Sequence, residues 1–199
     1  MKHIPLALYV HIPWCERKCP YCDFNSHENF DPALEKPYVD ALLNDLDQQL
    51  SWAGDRELVS IFFGGGTPSL FSGEAIQQIL DGINQRLALA ENCEITLESN
   101  PGSAETMKYH AYRHAGINRL SIGVQSFQER HLSRLGRIHS GDEAIKAIEL
   151  ARSAGFDRLN IDLMYGLPDQ TIEDGLDDLV TGITLGIDHF SWYQLTIER

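Results

Sequence analysis

No stretch of the sequence approaches the ~20 consecutive apolar residues that a membrane span requires, and residues 1–12 have neither a basic start nor an apolar segment of signal-peptide length. These absences predict a cytoplasmic protein whose contact with a membrane is at most transient. Positive charge is scarce: 16 Lys and Arg stand against 29 Asp and Glu, a net charge of −13. Such a balance disfavours a protein that neutralises a phosphate backbone, so no nucleic-acid partner is expected. Linkers and low-complexity stretches are missing too, and 199 residues that are 43% hydrophobic predict one well-filled core. Cysteine is sparse and unevenly spread, with three of the four within eight residues. An odd cluster without an export signal argues against a disulfide framework and for metal binding.

What is present is an alternation of short β-rich runs and longer amphipathic ones. Strands are predicted at Leu6–Ile12, Leu58–Phe63, Glu94–Glu98, Arg119–Gln125, Arg158–Met164 and His189–Ile197. Helices are predicted around Val39 to Leu50, Ile76 to Leu87, Ile145 to Ala151 and Ile172 to Ile183, where apolar residues recur at helical spacing. Ser72, Ser140 with Glu143, and Thr171 with Asp174 supply start signals, and Gly116 and Gly155 supply stops. Strands alternating with helices imply an α/β fold with parallel neighbours, either an open doubly wound sheet or a curved barrel. A sixth strand without a following helix leaves one sheet face uncovered, which predicts a piece of a longer protein.

Chemistry concentrates after the first strand, in Cys15-Glu-Arg-Lys-Cys19-Pro-Tyr-Cys22. Three thiolates on a four-iron cluster leave one iron open to a ligand from outside the protein, whereas zinc needs a fourth closed ligand, from His11 or His27. Cys93 lies at the start of the third strand, ~16 Å from the strand ends, and reads as a structural cysteine. After the second strand, Gly64-Gly-Gly-Thr67-Pro68 allows close backbone approach to a ligand, without the Lys of a phosphate loop. Glu98, Gln125, Asp162 and Thr196 stand at the carboxyl ends of later strands, the edge at which parallel α/β folds bind ligands. A basic segment from Lys108 to His139 carries six Lys and Arg against Glu129 alone and is predicted to face that edge around Arg137.

The run Tyr9-Val-His-Ile-Pro-Trp-Cys15-x3-Cys19-x2-Cys22, followed by Gly-Gly-Gly-Thr-Pro, resembles the radical S-adenosylmethionine (SAM) proteins. Ile122-Gly-Val-Gln-Ser-Phe127 and Leu163-Met-Tyr-Gly-Leu-Pro-Asp-Gln-Thr171 resemble the branch around oxygen-independent coproporphyrinogen III oxidase. That resemblance implies a partial (β/α)6, TIM-like barrel truncated after its sixth strand, with residues 1–199 as an incomplete core lacking a last helix and a C-terminal domain. It implies a [4Fe-4S] cluster on Cys15, Cys19 and Cys22, with SAM on the fourth iron. Tyr9, the Tyr21 backbone, Gly65, Gly66, Thr67 and Glu98 would contact that SAM, while Gln125, Arg137 and Asp162 match positions that hold a second SAM in the oxidases. Those oxidases carry a further cysteine two residues after the third; here Phe24 stands there, as in the heme chaperones of the branch. The expectation is a protein that binds heme as cargo and passes it to an acceptor protein, with a reductant protein as a further partner. A radical oxidase of coproporphyrinogen III is the alternative. His11, His110, His114, His131 and His139 are the candidate heme ligands.

Overall fold

The computed structural model describes residues 4–102 and 106–196. Six strands, β1 (Leu6–Ile12), β2 (Leu58–Gly65), β3 (Leu89–Ser99), β4 (Arg119–Gln125), β5 (Arg158–Tyr165) and β6 (His189–Gln194), form one sheet in the order β1-β2-β3-β4-β5-β6. All five pairings are parallel. Sequential order and parallel pairing mean that each crossover returns on the same side, so the sheet curls into a partial barrel rather than winding both ways. Predicted and observed strands agree at β1 and β4; β3 begins five residues earlier than expected, at Leu89. The predicted end of the sixth strand, Ile197, lies outside the described residues.

Helices α1 (Glu35–Ala53), α2 (Gly73–Asn84), α3 (Tyr109–Ala115), α4 (Glu129–Leu135), α5 (Gly141–Ser153) and α6 (Ile172–Thr184) are described between the strands. Ser72 caps α2 through the Ala75 N–H, and Ser140 with Glu143 and Thr171 with Asp174 form reciprocal capping boxes. The short α3 and α4, each seven residues, were not predicted. One continuous core runs between strands and helices, with Phe63, Phe71, Ile76, Tyr112, Phe156 and Ile161 at its centre. Cys93 is buried in that core, away from the cysteine loop.

α6 reverses the packing its sequence predicts. Of the expected core stripe, Leu179 packs partly buried against the core, but Ile172, Leu176, Val180 and Ile183 are between 50% and 79% exposed, while Asp174, Gly175, Asp178 and Gly182 are buried. Shape and hydrogen bonding outweigh hydrophobicity here. A Cβ on Gly182 would stand 2.6 Å from Phe190 Cε1 and 2.9 Å from Ile161 Cδ1, so only glycine lets the helix settle on β5 and β6. Asp178 accepts from the Ser126 hydroxyl at 2.7 Å and the Phe127 N–H at 2.9 Å, fastening the helix to the end of β4. Among the described residues, no helix is long and apolar enough to cross a membrane.

Candidate cofactor site

The cysteine loop is tied down at both ends. Cys15 N–H donates to His27 O at 2.8 Å and His27 N–H to Pro13 O at 2.7 Å, pairing Trp14 with His27. His27 thus serves the loop through its backbone. The Trp14 ring packs on Tyr38, Phe30 and Phe71, which anchors the loop to the core behind it. Within the loop, Cys22 N–H donates to Cys19 O at 3.0 Å, and Lys18 Nζ reaches Phe24 O at 3.1 Å.

The glycine turn after β2 is stitched to the same loop. Gly66 N–H donates to Ile12 O at 2.8 Å and Thr67 N–H to Trp14 O at 2.7 Å. Gly65 has φ +121°, and a Cβ there would meet the His11 ring at 2.7 Å. At Gly66 a Cβ would stand 2.5 Å from Trp14 O and 3.0 Å from Cys15 Sγ. Both positions therefore need glycine, and the turn brings bare backbone alongside the thiols.

One cavity at the carboxyl ends of the strands is lined by Cys15, Cys19 and Cys22, by Tyr21, Gly65, Gly66 and Thr67, and by Glu98, Gln125, Arg137 and Asp162. The site residues expected from the sequence meet there, with Tyr9 the exception. Tyr9 lies one inward-facing step nearer the amino end of β1, stacked on Phe62 and hydrogen bonded to His11 Nδ1 at 3.0 Å, 56% exposed and outside the cavity lining. Its link to the cavity is electrostatic: burial and the nearby Glu98 charge both raise its hydroxyl pKa. Thr196 is likewise outside the lining.

The carboxylates of the cavity face inward from β3 and β5. Burial, reinforced by the Asp162 charge, pushes Glu98 up to about 7, against the pull of the Gly65 N–H that reaches its Oε2 at 3.3 Å. Burial also raises Asp162, opposed by donors that include Asn160 Nδ2 at 2.8 Å and Ser121 Oγ at 3.4 Å. Gln125 has φ +67°, a left-handed conformation rare outside glycine, where β4 breaks register. Its amide oxygen accepts the Tyr193 hydroxyl at 2.6 Å. Arg137 donates to Cys19 Sγ at 3.3 Å, Asn100 Oδ1 at 2.7 Å and Gly123 O at 2.9 Å.

The basic segment is not one patch. Of its six cations only Arg137 lines the cavity. Arg119 sits at the start of β4 near Glu94, Arg130 pairs with Asp174 and Arg134 with Asp169. Helical and strand geometry send these side chains to different faces, which a charge count along the chain does not register. Three candidate heme ligands are engaged elsewhere: His11 Nε2 with Asn25 O at 2.9 Å, His131 with Asp174 at 3.4 Å, and His139 with Val124 O at 3.0 Å. His110 and His114 are exposed on α3.

Seven lining residues are not among those the sequence singles out for the site: Arg17, Phe24, Ser99, Asn100, Ser121, Gly123 and Tyr193. Strand alternation carries a signal for two of them, since Ser121 and Gly123 share the face of Gln125. Asn100 has no such signal. It joins the two loops by donating to Thr67 Oγ1 at 3.1 Å while accepting from Arg137.

A curled parallel sheet with a cysteine triplet and a glycine turn on one rim defines a class: the chain belongs to the radical SAM superfamily, which matches residues 9–179. Among particular proteins, it is 56% identical to the heme chaperone HemW of Escherichia coli over 98% of this chain and 51% of that protein. It is 52% identical to heme chaperone HemW of Haemophilus influenzae over 98% of this chain and 52% of that one. The chain therefore spans about half the length of the curated relatives it matches. The structure of coproporphyrinogen III oxidase (HemN) from Escherichia coli superposes with a TM-score of 0.85 at 30% identity, over 96% of this chain and 44% of that one.

Membership implies SAM and a four-iron cluster, and the residues present suit them. Among the described residues no three His, Cys, Asp or Glu side chains converge on a single ion, yet three thiols line one cavity. Separate thiols suit a cluster in which each sulfur takes a different iron. The glycine backbone beside Cys15 leaves room that any side chain would fill.

Proposed function

We propose that this chain is the cluster- and SAM-binding core of a heme chaperone, which binds heme and transfers it to an acceptor protein in the cytoplasm. The observation that carries this reading is the 56% identity to a heme chaperone across nearly the whole chain, against 30% to the oxidase. Phe24, where the resemblance places a further cysteine in the oxidases, points the same way.

In this reading Cys15, Cys19 and Cys22 hold a [4Fe-4S] cluster and leave one iron for the amine and carboxylate of SAM. When bound, these groups supply one-electron reductive chemistry at the sulfonium, fed by a reductant protein. The Gly65 and Gly66 backbone and the Thr67 hydroxyl would flank the methionine part, with the Tyr21 backbone in the same set, while Tyr9, outside the cavity lining, would join it only from beside Glu98. Glu98 accepts from hydroxyl or amine groups, and its raised pKa lets it hold a proton near neutrality. Gln125 and Asp162, turned inward from β4 and β5, orient whatever lies deeper in the barrel.

The oxidase reading rests on the TM-score of 0.85, which reflects a shared fold. One experiment separates the two. Anaerobically reconstituted full-length protein should hold ~4 iron and ~4 sulfide, lost in Cys15→Ala, and should titrate with heme to a saturable change in the Soret band. It should leave coproporphyrinogen III unchanged under reducing conditions with SAM. Turnover of coproporphyrinogen III without saturable heme binding would reverse the assignment, and tight zinc without an iron chromophore would remove both readings.

A further inference from the structure

We infer that Arg137 is a positioning residue that raises the reduction potential of the cluster held by Cys15, Cys19 and Cys22; this rests on the function proposed above.

The argument begins with how the side chain arrives. α4 ends at Gly136 in a left-handed cap, and Arg137 N–H closes that turn on Leu132 O at 3.0 Å. The turn sends the guanidinium inward beneath the cysteine loop. There it is gripped from three directions: Nη1 donates to Cys19 Sγ at 3.3 Å, and Nη2 donates to Asn100 Oδ1 at 2.7 Å and Gly123 O at 2.9 Å. Asn100 is itself held by Thr67, so cysteine loop, glycine turn and the ends of β3 and β4 share one network.

Two features make this more than packing. First, the acceptors of these bonds are a cysteine sulfur, an amide oxygen and a carbonyl, while the carboxylates Asp174 and Asp169 are taken by Arg130 and Arg134. The positive charge therefore reaches the sulfur without a carboxylate partner in its hydrogen bonds. Second, Arg137 Nε is buried without a hydrogen-bond partner. A buried donor left unmet is a cost that a purely structural residue would not retain when a shorter apolar side chain could fill the space.

A cluster that takes one electron gains one negative charge. Hydrogen bonds to its sulfurs and nearby positive charge stabilise that added charge and raise the potential. The effect is strong where water is excluded. In the step concerned, one electron passes from a one-electron donor protein to the oxidised cluster; no bond forms or breaks and no proton moves. Arg137 eases this transfer in a chain whose net charge of −13 opposes it.

The test is a mediator-coupled redox titration, followed by electron paramagnetic resonance, on reconstituted full-length protein. Arg137→Gln keeps hydrogen-bond donors and removes the charge, and should lower the midpoint by at least the tenfold change in equilibrium that corresponds to about 59 mV for one electron. Arg137→Lys keeps the charge and should recover most of that loss. A Gln variant with its full iron complement and the wild-type midpoint overturns the inference. So does loss of iron from both variants while the wild type stays loaded, since Arg137 is then structural. Wild-type protein that holds no iron removes the proposed function itself, which the iron count distinguishes from failure of the Arg137 inference alone.

Discussion

Gly66→Ala tests whether the glycine turn and the cysteine loop form one unit. The added Cβ would lie 2.5 Å from Trp14 O, 2.8 Å from Trp14 C and 3.0 Å from Cys15 Sγ. An ordinary carbon–oxygen approach is about 3.3 Å, so the loops must separate by roughly 0.8 Å. Trp14 has little room to retreat, because its ring lies with centroids 4.8 Å from Tyr38 and 5.9 Å from Phe71. Separation stretches the bonds Gly66 N–H to Ile12 O and Thr67 N–H to Trp14 O. Overpacking costs about 1–3 kcal/mol and each of the two weakened hydrogen bonds up to about 1 kcal/mol, for a total of about 1–5 kcal/mol. Urea denaturation should show that loss, and reconstitution should show fewer irons because the Cys15 thiol is displaced. Gly175→Ala is the control. It sits within α6 with nothing nearer than 3.8 Å to the new Cβ, so it should stabilise by about 0.5–1 kcal/mol and leave iron content unchanged. A Gly66→Ala protein with wild-type stability and full iron would refute the coupling of the two loops.

Two further expectations follow from the buried carboxylates. Glu98 is raised from about 4.5 to about 7, so the folded state binds its proton more tightly than the unfolded state does. Its contribution is full below about pH 4.5 and is lost as pH rises through about 7, on the order of 3 kcal/mol; in urea melts of the cofactor-free protein, Glu98→Gln should flatten the decline between pH 5 and pH 8, and an identical decline would contradict the shift. Asp178→Ala strands the Ser126 hydroxyl and the Phe127 N–H that Asp178 now accepts, so it should cost about 2–4 kcal/mol, and a change below about 0.5 kcal/mol in chemical denaturation would show that α6 is held by other means.

Most of the scaffold is legible along the chain because parallel β/α units are built from local signals. The caps at Ser72, Ser140 and Thr171 form where their spacing indicates, since the partner groups lie within three residues. β3 runs longer than its apolar run because Leu89 pairs with Leu58 through the backbone, which is indifferent to the polar Glu91 and Asn92. α6 is the clearest miss. Its hydrophobic stripe is genuine, but the face that meets the sheet is chosen by Gly182 and the bonds of Asp178, and their partners are set by the tertiary fold. The basic segment fails for a related reason: charges adjacent along the chain are spread over α3, β4 and α4, and only Arg137 turns into the cavity.

The amino-acid sequence by itself determined the six strands, the four longer helices, the cysteine triplet and the glycine turn, because each is set by residues within a few positions of one another. The tertiary structure alone decided which side chains share the cavity. Asn100 linking Thr67 to Arg137, Arg137 reaching Cys19, and Tyr9 standing apart depend on strand order, register and side-chain direction across 30 to more than 100 residues. Contacts over such separations are fixed by the packing of the whole sheet, and local pattern carries no record of them.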